Sequence, residues 1–307
     1  MARSLQWCSV KRQNPKIKMN KNIKEKLPQW YKEKTRKDLI LSNDIDSLLS
    51  VKLLEQINPE WKLKYFYDFD SGLYCMGKAG KSNYAVGVDI ALDFYNLKTF
   101  DNHVTSDNGN NINPNAVNLN NICGIGANNY FKKYCGSTAL LIYSLYDIPL
   151  PKTDMGKALL LAIDSTYISY YNPIRKKRPQ WLEIHKHWLC DVLELPELYE
   201  LERKHTEEDF EKFSFINDAK IQLLDDWGDG KYTMYFPLQY KDDIEKALEI
   251  SLDIPTEEFK LLKEVRAKSA FLNGRHKSDF IDNYNVMSFA MTGKKHCNFS
   301  VYEKKNK

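Results

Sequence analysis

The chain has 307 residues, 43% of them hydrophobic and 28% charged, which is enough for one large domain or two ordinary ones with buried cores. An aromatic content of 13% excludes a wholly disordered chain. No apolar run approaches the ~20 residues that span a membrane. The six cysteines are scattered without a CxxC pair, and the first residues lack the apolar core of a secretory signal. These features predict a cytoplasmic protein with free thiols and no membrane partner.

The net charge of +4 is the sum of two unequal parts. Residues 1–37 hold 12 Lys or Arg against two Glu, a charge of +10, whereas the other 270 residues hold 33 basic and 39 acidic residues, a charge of −6. Trp7, Trp30 and Tyr31 lie among the lysines of this basic N-terminal arm. The arm could therefore bind nucleic acid by charge and stacking. The sequence favours the alternative, a solvated tail or a strap over the body.

From Asp38 onward, short apolar strands alternate with helices. Strands are predicted at 38–42, 64–69, 84–90 and 97–103, and helices at 44–58, 136–148 and 154–163. This order predicts an α/β fold, a mostly parallel sheet flanked by helices, over residues 38–175. The Asn- and Gly-rich residues 107–129 indicate a long ordered loop packed on the body, and such loops are often functional.

The second half of the chain has a different pattern. Residues 176–215 are charged and predict a helical connector, and residues 216–307 predict a smaller C-terminal α+β domain. Within that domain, we expect a strand at 231–236, helices at 241–251 and 256–272, and two closing strands around a turn at Thr292 and Gly293.

Acidic side chains stand mostly where predicted strands end. They are Asp44 and Asp46 after the first strand, Asp89 after the third, Asp101 after the fourth, and Asp164 after a helix. Carboxylates that converge on one edge of a parallel sheet repel one another unless cations bind among them. Oxygen-rich clusters suit Mg²⁺ or Mn²⁺, and two such ions can activate water and stabilise phosphoryl displacement. One such Asp alone more often caps a helix or forms a turn, so only the ordered series is specific.

The ordered series resembles the motifs of the DHH phosphoesterase superfamily. This family includes RecJ-like single-strand exonucleases, oligoribonuclease/phosphoadenosine phosphatases and family II inorganic pyrophosphatases. The matching segments, over about residues 38–172, are "ILSNDIDSLLSVKLL", "VGVD", "FDNHV", "YCGSTALLIYSLYDI" and "LLAIDSTYIS".

The resemblance implies a role for each motif residue. The implied metal ligands, for one or two Mn²⁺ or Mg²⁺ ions, are Asp44, Asp46, Asp89, Asp164 and Asn102. His103 would contact the scissile phosphate or assist proton transfer, and Asp101 would orient it. A core histidine fixing the strand end is the alternative for His103. Two ions bridged by Asp89 would support catalysis.

The sequence departs from the family pattern in its first and third motifs. Ser42 and Ile40 stand where the first motif usually has a His or an Asp, and Asn102 replaces the first His of Asp-His-His. The ligand set that is left is almost all oxygen. Either the site prefers Mg²⁺ more strongly than the family's usual site does, or one metal position is lost and the chain is a binding protein or an enzyme of low activity.

Other polar residues are weaker candidates. Ser137 and Thr138 open a helix that could hold an anion, although simple capping is the commoner role. His185 and His187 point to different faces of a helix and predict a solvated surface rather than a metal site. A phosphate grip, with an ordinary solvated turn as its alternative, would consist of Arg275 in "GRH" and of Lys294, Lys295 and His296 in "TGKKH".

The function predicted from these features is a metal-dependent phosphodiesterase or phosphatase acting on single-stranded nucleic acid or short oligonucleotides. Metal-activated water would attack phosphorus in line. The alternative is a catalytically impaired homologue that binds a nucleotide, a nucleic acid or a protein. A third hypothesis gives nucleic-acid binding to residues 1–37 alone.

Overall fold

The computed structural model of the protein describes residues 19–92, 97–108, 110, 112–225 and 228–302. The strands are β1 (Lys37–Leu41), β2 (Trp61–Asp68), β3 (Gly72–Met76), β4 (Ala85–Val88), β5 (Lys98–Phe100), β6 (Ala116–Val117), β7 (Gln222–Leu224), β8 (Thr233–Tyr235), β9 (Phe259–Glu264), β10 (Arg266–Phe271), β11 (Val286–Met291) and β12 (His296–Val301). The helices are α1 (Lys21–Lys24), α2 (Ile45–Ile57), α3 (Leu119–Ile122), α4 (Thr138–Leu145), α5 (Asp154–Ala162), α6 (Ile168–Arg175), α7 (Pro179–Lys186), α8 (Pro196–Lys204), α9 (Glu207–Glu211), α10 (Phe215–Asp218), α11 (Lys241–Leu248) and α12 (Lys277–Asn283).

Within the described residues, the main sheet has seven strands in the order β6-β5-β4-β1-β2-β3-β9. The strands from β6 to β2 run parallel, whereas β3 and β9 add an antiparallel edge. Parallel neighbours need crossover connections, and α2 supplies the one between β1 and β2. The predicted α/β class and mostly parallel sheet are confirmed.

The two faces of the main sheet pack against different partners. Leu39 and Leu41 of β1 lie in one cluster with the buried residues of α2, α4 and α5. Ile40 points to the opposite face, where it belongs to a second cluster that includes Tyr65 and Met287 of β11. This alternation follows from the two-residue period of a strand, and it places the C-terminal strands on the face that the helices leave uncovered.

A small C-terminal β domain contains a three-stranded antiparallel sheet in the order β10-β12-β11. Phe280 of α12 packs on Phe289 and Phe299 of this sheet. The backbone N–H of Met291 donates to the carbonyl of Val104 over 2.7 Å, so β11 is joined to the loop after β5. The predicted pair of closing strands is confirmed. The sequence pattern does not predict α12, nor does it predict β3 of the main sheet.

The helix predicted at 256–272 is wrong. This segment forms β9 and β10, which meet at Val265, and β9 pairs with β3 in the main sheet. Its Lys, Glu, Leu and Ala residues favour a helix locally, but strand pairing together with the burial of Phe259 and Val265 overrides that preference. A strand of residues 216–307 therefore lies in the sheet predicted for residues 38–175. The domain boundaries stay a prediction.

The described part of the basic arm, residues 19–37, is packed on the body. Trp30 and Tyr31 are buried in the main core, and the indole N–H of Trp30 donates to the carbonyl of Asn115 over 2.9 Å. This part is therefore a strap, and it includes the single helical turn α1. Trp7 lies outside the described residues.

The connector predicted at 176–215 is helical, with a π-helical turn at His187–Val192 between α7 and α8. His187 is exposed, as predicted, but the same prediction for His185 is wrong. The His185 side chain is buried, and its Nε2 lies 2.8 Å from the Glu202 carboxylate. Nowhere in the described ranges does a helix combine the length and the apolar character that a membrane span requires.

Candidate metal centre

The predicted acidic residues meet at the carboxyl-end edge of the main sheet. Asp44 and Asp46 follow β1, Asp89 follows β4 and Asp101 follows β5. Because β1, β4 and β5 are parallel neighbours, their ends bring these side chains to the same place. Asp164, at the end of α5, completes the set.

Two groups of potential metal ligands share one carboxylate. Ligand atoms of Asp46, Asp89 and Asp164 all lie within 4.8 Å of one another, and the same is true of Asp89, Asp101 and His103. Asp44 belongs to neither group. Its side chain caps α2 by accepting from the backbone N–H of Ser47 over 3.0 Å, as a single Asp after a strand commonly does.

The N-terminus of α4 holds two of the carboxylates. The backbone N–H groups of Thr138 and Ala139 donate to the two Asp46 carboxylate oxygens over 2.7 and 2.8 Å, and the Thr138 hydroxyl donates to Asp89 over 2.9 Å. Ser137 caps the helix through its side chain. The anion at this helix start is therefore an internal carboxylate.

The carboxylates are crowded, and those of Asp46 and Asp89 are buried, whereas Asp164 is exposed. Burial, and then the charges of neighbouring carboxylates, raise the pKa of Asp46 and the pKa of Asp89 well above the usual range. Burial and the charge of Asp164 raise the pKa of Asp44 as well. A bound cation would remove the cause of the repulsion, so the charge arrangement fits a metal ion.

His103 is held by a buried carboxylate. Its Nδ1 lies 2.7 Å from Asp101, whose other oxygen accepts from the Asn118 amide over 2.7 Å. Burial lowers the pKa of His103, but the charges of Asp101, Asp89 and Asp164 outweigh this and raise it to about 10. The contact at Nδ1 leaves Nε2 as the ring nitrogen available to a ligand.

Asn102 contacts the site through its amide nitrogen. This nitrogen donates to Asp164 over 2.8 Å and to the carbonyl of Gly136 over 3.0 Å. The carbonyl can only accept, which fixes the orientation of the amide. Asn102 therefore acts here as a donor that orients Asp164, and its predicted role as a metal ligand stays a prediction.

A second asparagine, Asn217, holds the backbone of Asp164. Asp164 and Ser165 both have a left-handed backbone, with φ of 53° and 52°. The Asn217 amide oxygen accepts from the N–H of Asp164 over 3.1 Å, and its nitrogen donates to the carbonyl of Ala162 over 2.8 Å. Sequence reasoning missed Asn217, since nothing local links it to a residue more than fifty positions away.

The Asn-rich loop supports the 101–103 segment from behind. Asn118 donates to the carbonyl of His103 over 2.8 Å as well as to Asp101, and Asn120 donates to the carbonyl of Asn102 over 2.7 Å. An asparagine side chain both donates and accepts, so it can satisfy irregular backbone. The described part of this loop is ordered and packed on the body, as predicted.

Two lysines near the carboxylates were not singled out from the sequence. The charge of Lys220 acts on Asp44 and partly offsets the effect of its burial. Burial lowers the pKa of Lys133, but its interactions with Cys135 and Tyr130, and then the charge of Asp164, outweigh this and leave the pKa raised. Its only sequence signal is its place shortly before α4.

The predicted phosphate-grip residues lie on the C-terminal domain. Arg275 donates to the carbonyl of Phe271 over 2.7 Å, the Lys294 ammonium lies 5.4 Å from the Phe131 ring, and His296 lies 2.9 Å from the Ser269 hydroxyl. Lys295 bonds to its surroundings through its carbonyl. Among the described residues, none of the four forms a hydrogen bond or ion pair with the carboxylate cluster.

Comparisons with protein family models, with characterised proteins and with solved structures find no match to this chain. The assignment of a function to the cluster therefore depends on its geometry and chemistry, together with the ordered motifs in the sequence.

Proposed function

We propose that the protein is a metal-dependent phosphoesterase of the DHH type that hydrolyses single-stranded nucleic acid or short oligonucleotides. The observation that carries the proposal is the sharing of Asp89 between two groups of potential ligands. A carboxylate that belongs to both groups can bridge two ions, which is the arrangement used for in-line phosphoryl displacement.

The donor atoms fit hard divalent ions. Asp46, Asp89 and Asp164 would hold one ion with oxygen alone, and Asp89 and Asp101 would supply carboxylate oxygens to a second, with His103 beside them. When bound, the ions would supply an activated water and offset the charge on the phosphoryl oxygens. Buried carboxylates with raised pKa values support this fit, because unpaired buried charges are costly.

The chain's own residues would position the substrate. Asp101 orients His103 so that Nε2 is left for a phosphoryl oxygen or a proton. Lys133 interacts electrostatically with Asp164 and Lys220 with Asp44, and their positive charge favours a polyanionic substrate. The exposed ring of Phe131, with Lys294 beside it, offers a surface on which a base can stack.

The test is hydrolysis of a 5′-labelled short single strand, and of a generic phosphodiester, with Mg²⁺ or Mn²⁺. We expect turnover by the wild type, loss of about 10²-fold or more in Asp89→Asn, and no change in the exposed control Asp282→Asn. The enzyme hypothesis is rejected if neither metal supports turnover and Asp89→Ala binds the strand as well as the wild type.

A second function is favoured by the contact of Asn102. Its amide nitrogen, rather than a histidine, faces Asp164, which supports a catalytically impaired homologue that binds a nucleotide, a nucleic acid or a protein. In that case Asn102→His would gain metal affinity while the wild type binds its ligand without cleaving it. Isothermal titration with Mn²⁺, paired with the cleavage assay, separates the two functions.

A further inference from the structure

A second polar site lies at the opposite edge of the main sheet. A cavity of about 550 Å³ opens there, and its walls include Glu33, Arg36, Lys37, Tyr84 and Lys98. Lys37 and Lys98 are the first residues of β1 and β5, and Tyr84 directly precedes β4. The carboxylate cluster follows the other ends of these strands. The cavity is therefore separate from the candidate metal centre by roughly the length of a five-residue strand, about 16 Å.

The cavity has more positive than negative charge. The Lys98 ammonium lies 3.0 Å from both oxygens of Glu33, and the ammonium of the buried Lys37 contacts the same carboxylate. One carboxylate thus serves two ammonium groups. Burial, and then the neighbouring Lys37, lower the pKa of Lys98, in keeping with a positive charge that is only partly compensated.

Arg36 adds an unused donor to this wall. Its Nε and Nη2 both donate to one oxygen of the buried Asp38, over 3.0 and 2.9 Å. Its Nη1 donates to no residue in the described part of the chain, and most of its side chain is exposed. An exposed planar guanidinium with a donor left over suits the oxygens of a phosphate.

We propose that this cavity binds a phosphate-bearing anion of up to nucleotide size. The phosphate would be bound by Lys98 and Arg36 and would supply the negative charge that the two-lysine cluster lacks. The volume lies within the usual range for small-ligand sites. Tyr84 and Asn83, from the segment before β4, line the cavity beside the uncharged part of such a ligand. The proposal does not depend on the phosphoesterase function.

The test is isothermal titration of the full chain with AMP and, separately, with inorganic phosphate, in EDTA. Without metal the acidic cluster is unfavourable to phosphate, so binding there is suppressed. We expect saturable binding. The affinity should fall about tenfold in Lys98→Gln and in Arg36→Gln, because each substitution removes one charge-assisted hydrogen bond to the phosphate. The control Lys62→Gln removes the same charge from an exposed position on β2 and should bind like the wild type.

Several results would overturn this proposal. One is the absence of saturable binding at roughly 10 mM AMP or phosphate, a concentration that would fill a site of millimolar affinity. Another is an unchanged affinity in both cavity variants. Binding of a short oligonucleotide but not of AMP would also overturn it. Equal affinity for AMP and phosphate supports a site for the phosphate group alone, and tighter AMP binding supports one for a nucleotide. Arg36 is exposed, so its variant keeps the test valid if Lys98→Gln does not fold.

Discussion

Both the backbone conformation of Asp89 and the environment of its side chain are energetically unfavourable. Its φ of 58° lies in the left-handed region, and its carboxylate is buried among other carboxylates. Such a backbone costs about 1–3 kcal/mol and persists only where the surroundings impose it. Here the Asp89 N–H donates to the carbonyl of Phe100 over 2.8 Å, and Thr138 holds the side chain. Asp164 shows the same left-handed backbone in the same cluster.

At this scale we predict that Asp89→Asn separates metal binding from folding. Removing one charge from a crowded cluster should leave the metal-free protein as stable as the wild type or more so. Mn²⁺ at about 100 times its Kd should raise the melting temperature of the wild type by about 5 °C or more, and that of the variant by much less. Thermal melts with and without Mn²⁺ measure this, and Asp282→Asn is the matched control. Equal shifts in all three proteins would contradict the shared-ligand arrangement.

We also predict a pH dependence of the metal-free protein. The raised pKa values of Asp46 and Asp89 mean that the folded state holds protons which the unfolded chain releases near pH 3.8. The free energy of unfolding should therefore fall as the pH rises above that value. His103, with its pKa raised to about 10, acts in the same direction, because its stabilisation is lost as the pH rises through that value.

Urea unfolding in EDTA at about pH 5 and about pH 7 tests this dependence. The wild type should be less stable at the higher pH, and Asp89→Asn should show a smaller difference. Addition of Mg²⁺ at the higher pH should restore stability to the wild type only. A pH dependence that is identical in the wild type and in Asp89→Asn would show that the cluster does not titrate as the structure indicates.

At the element scale, the start of α4 organises the cluster more than any single strand does. Two backbone N–H groups and one hydroxyl from this helix bind Asp46 and Asp89. The positive end of a helix dipole and the unpaired N–H groups of its first turn are well suited to carboxylates. The helix therefore brings partial positive charge to the place where the aspartates that follow the strands meet.

We predict that Thr138→Val weakens the site and that Thr138→Ser does not. The valine has nearly the same shape but leaves Asp89 without its hydroxyl donor, which should cost about 1–3 kcal/mol of stability in the metal-free protein. Serine keeps the hydroxyl. Urea unfolding and Mn²⁺ titration of the two variants provide the comparison, and a serine variant as weak as the valine variant would disprove the role of the hydrogen bond.

On the scale of the whole molecule, the strap and the C-terminal domain cover the α/β body from different sides. Trp30 of the strap packs against Trp61 and Phe100 in the main core. On the other face, the hydroxyl of Tyr67 in β2 bonds to Ser300 of the C-terminal sheet. These contacts join segments far apart in sequence, so the stability of the α/β body depends on the strap and on the C-terminal domain as well.

We predict that Trp30→Ala lowers the free energy of unfolding by about 3–5 kcal/mol, as expected for a buried tryptophan. Trp181→Ala, which truncates a half-buried tryptophan on α7, is the control and should cost about 1 kcal/mol. Urea unfolding of both variants gives the values. A small loss in Trp30→Ala would mean that the strap lies on the body without stabilising it.

Much of the fold and of the site could be predicted because their signals are local. The apolar run at 38–42 predicts a strand, and the aspartates that follow strands predict a carboxylate cluster at one sheet edge. A single segment carries each of these patterns. The fold class and the acidic character of the site therefore follow from local sequence patterns.

Which distant groups meet depends on the packing of the whole chain. The 256–272 segment favours a helix until the open edge of β3 offers it backbone partners, and Asn217 becomes part of the site only when α10 reaches Asp164. Asn102 likewise acts as a donor because the fold places its amide nitrogen beside the Asp164 carboxylate and the Gly136 carbonyl. A hydrogen bond stabilises only when both partners are in place, and the packing of the whole chain sets those positions.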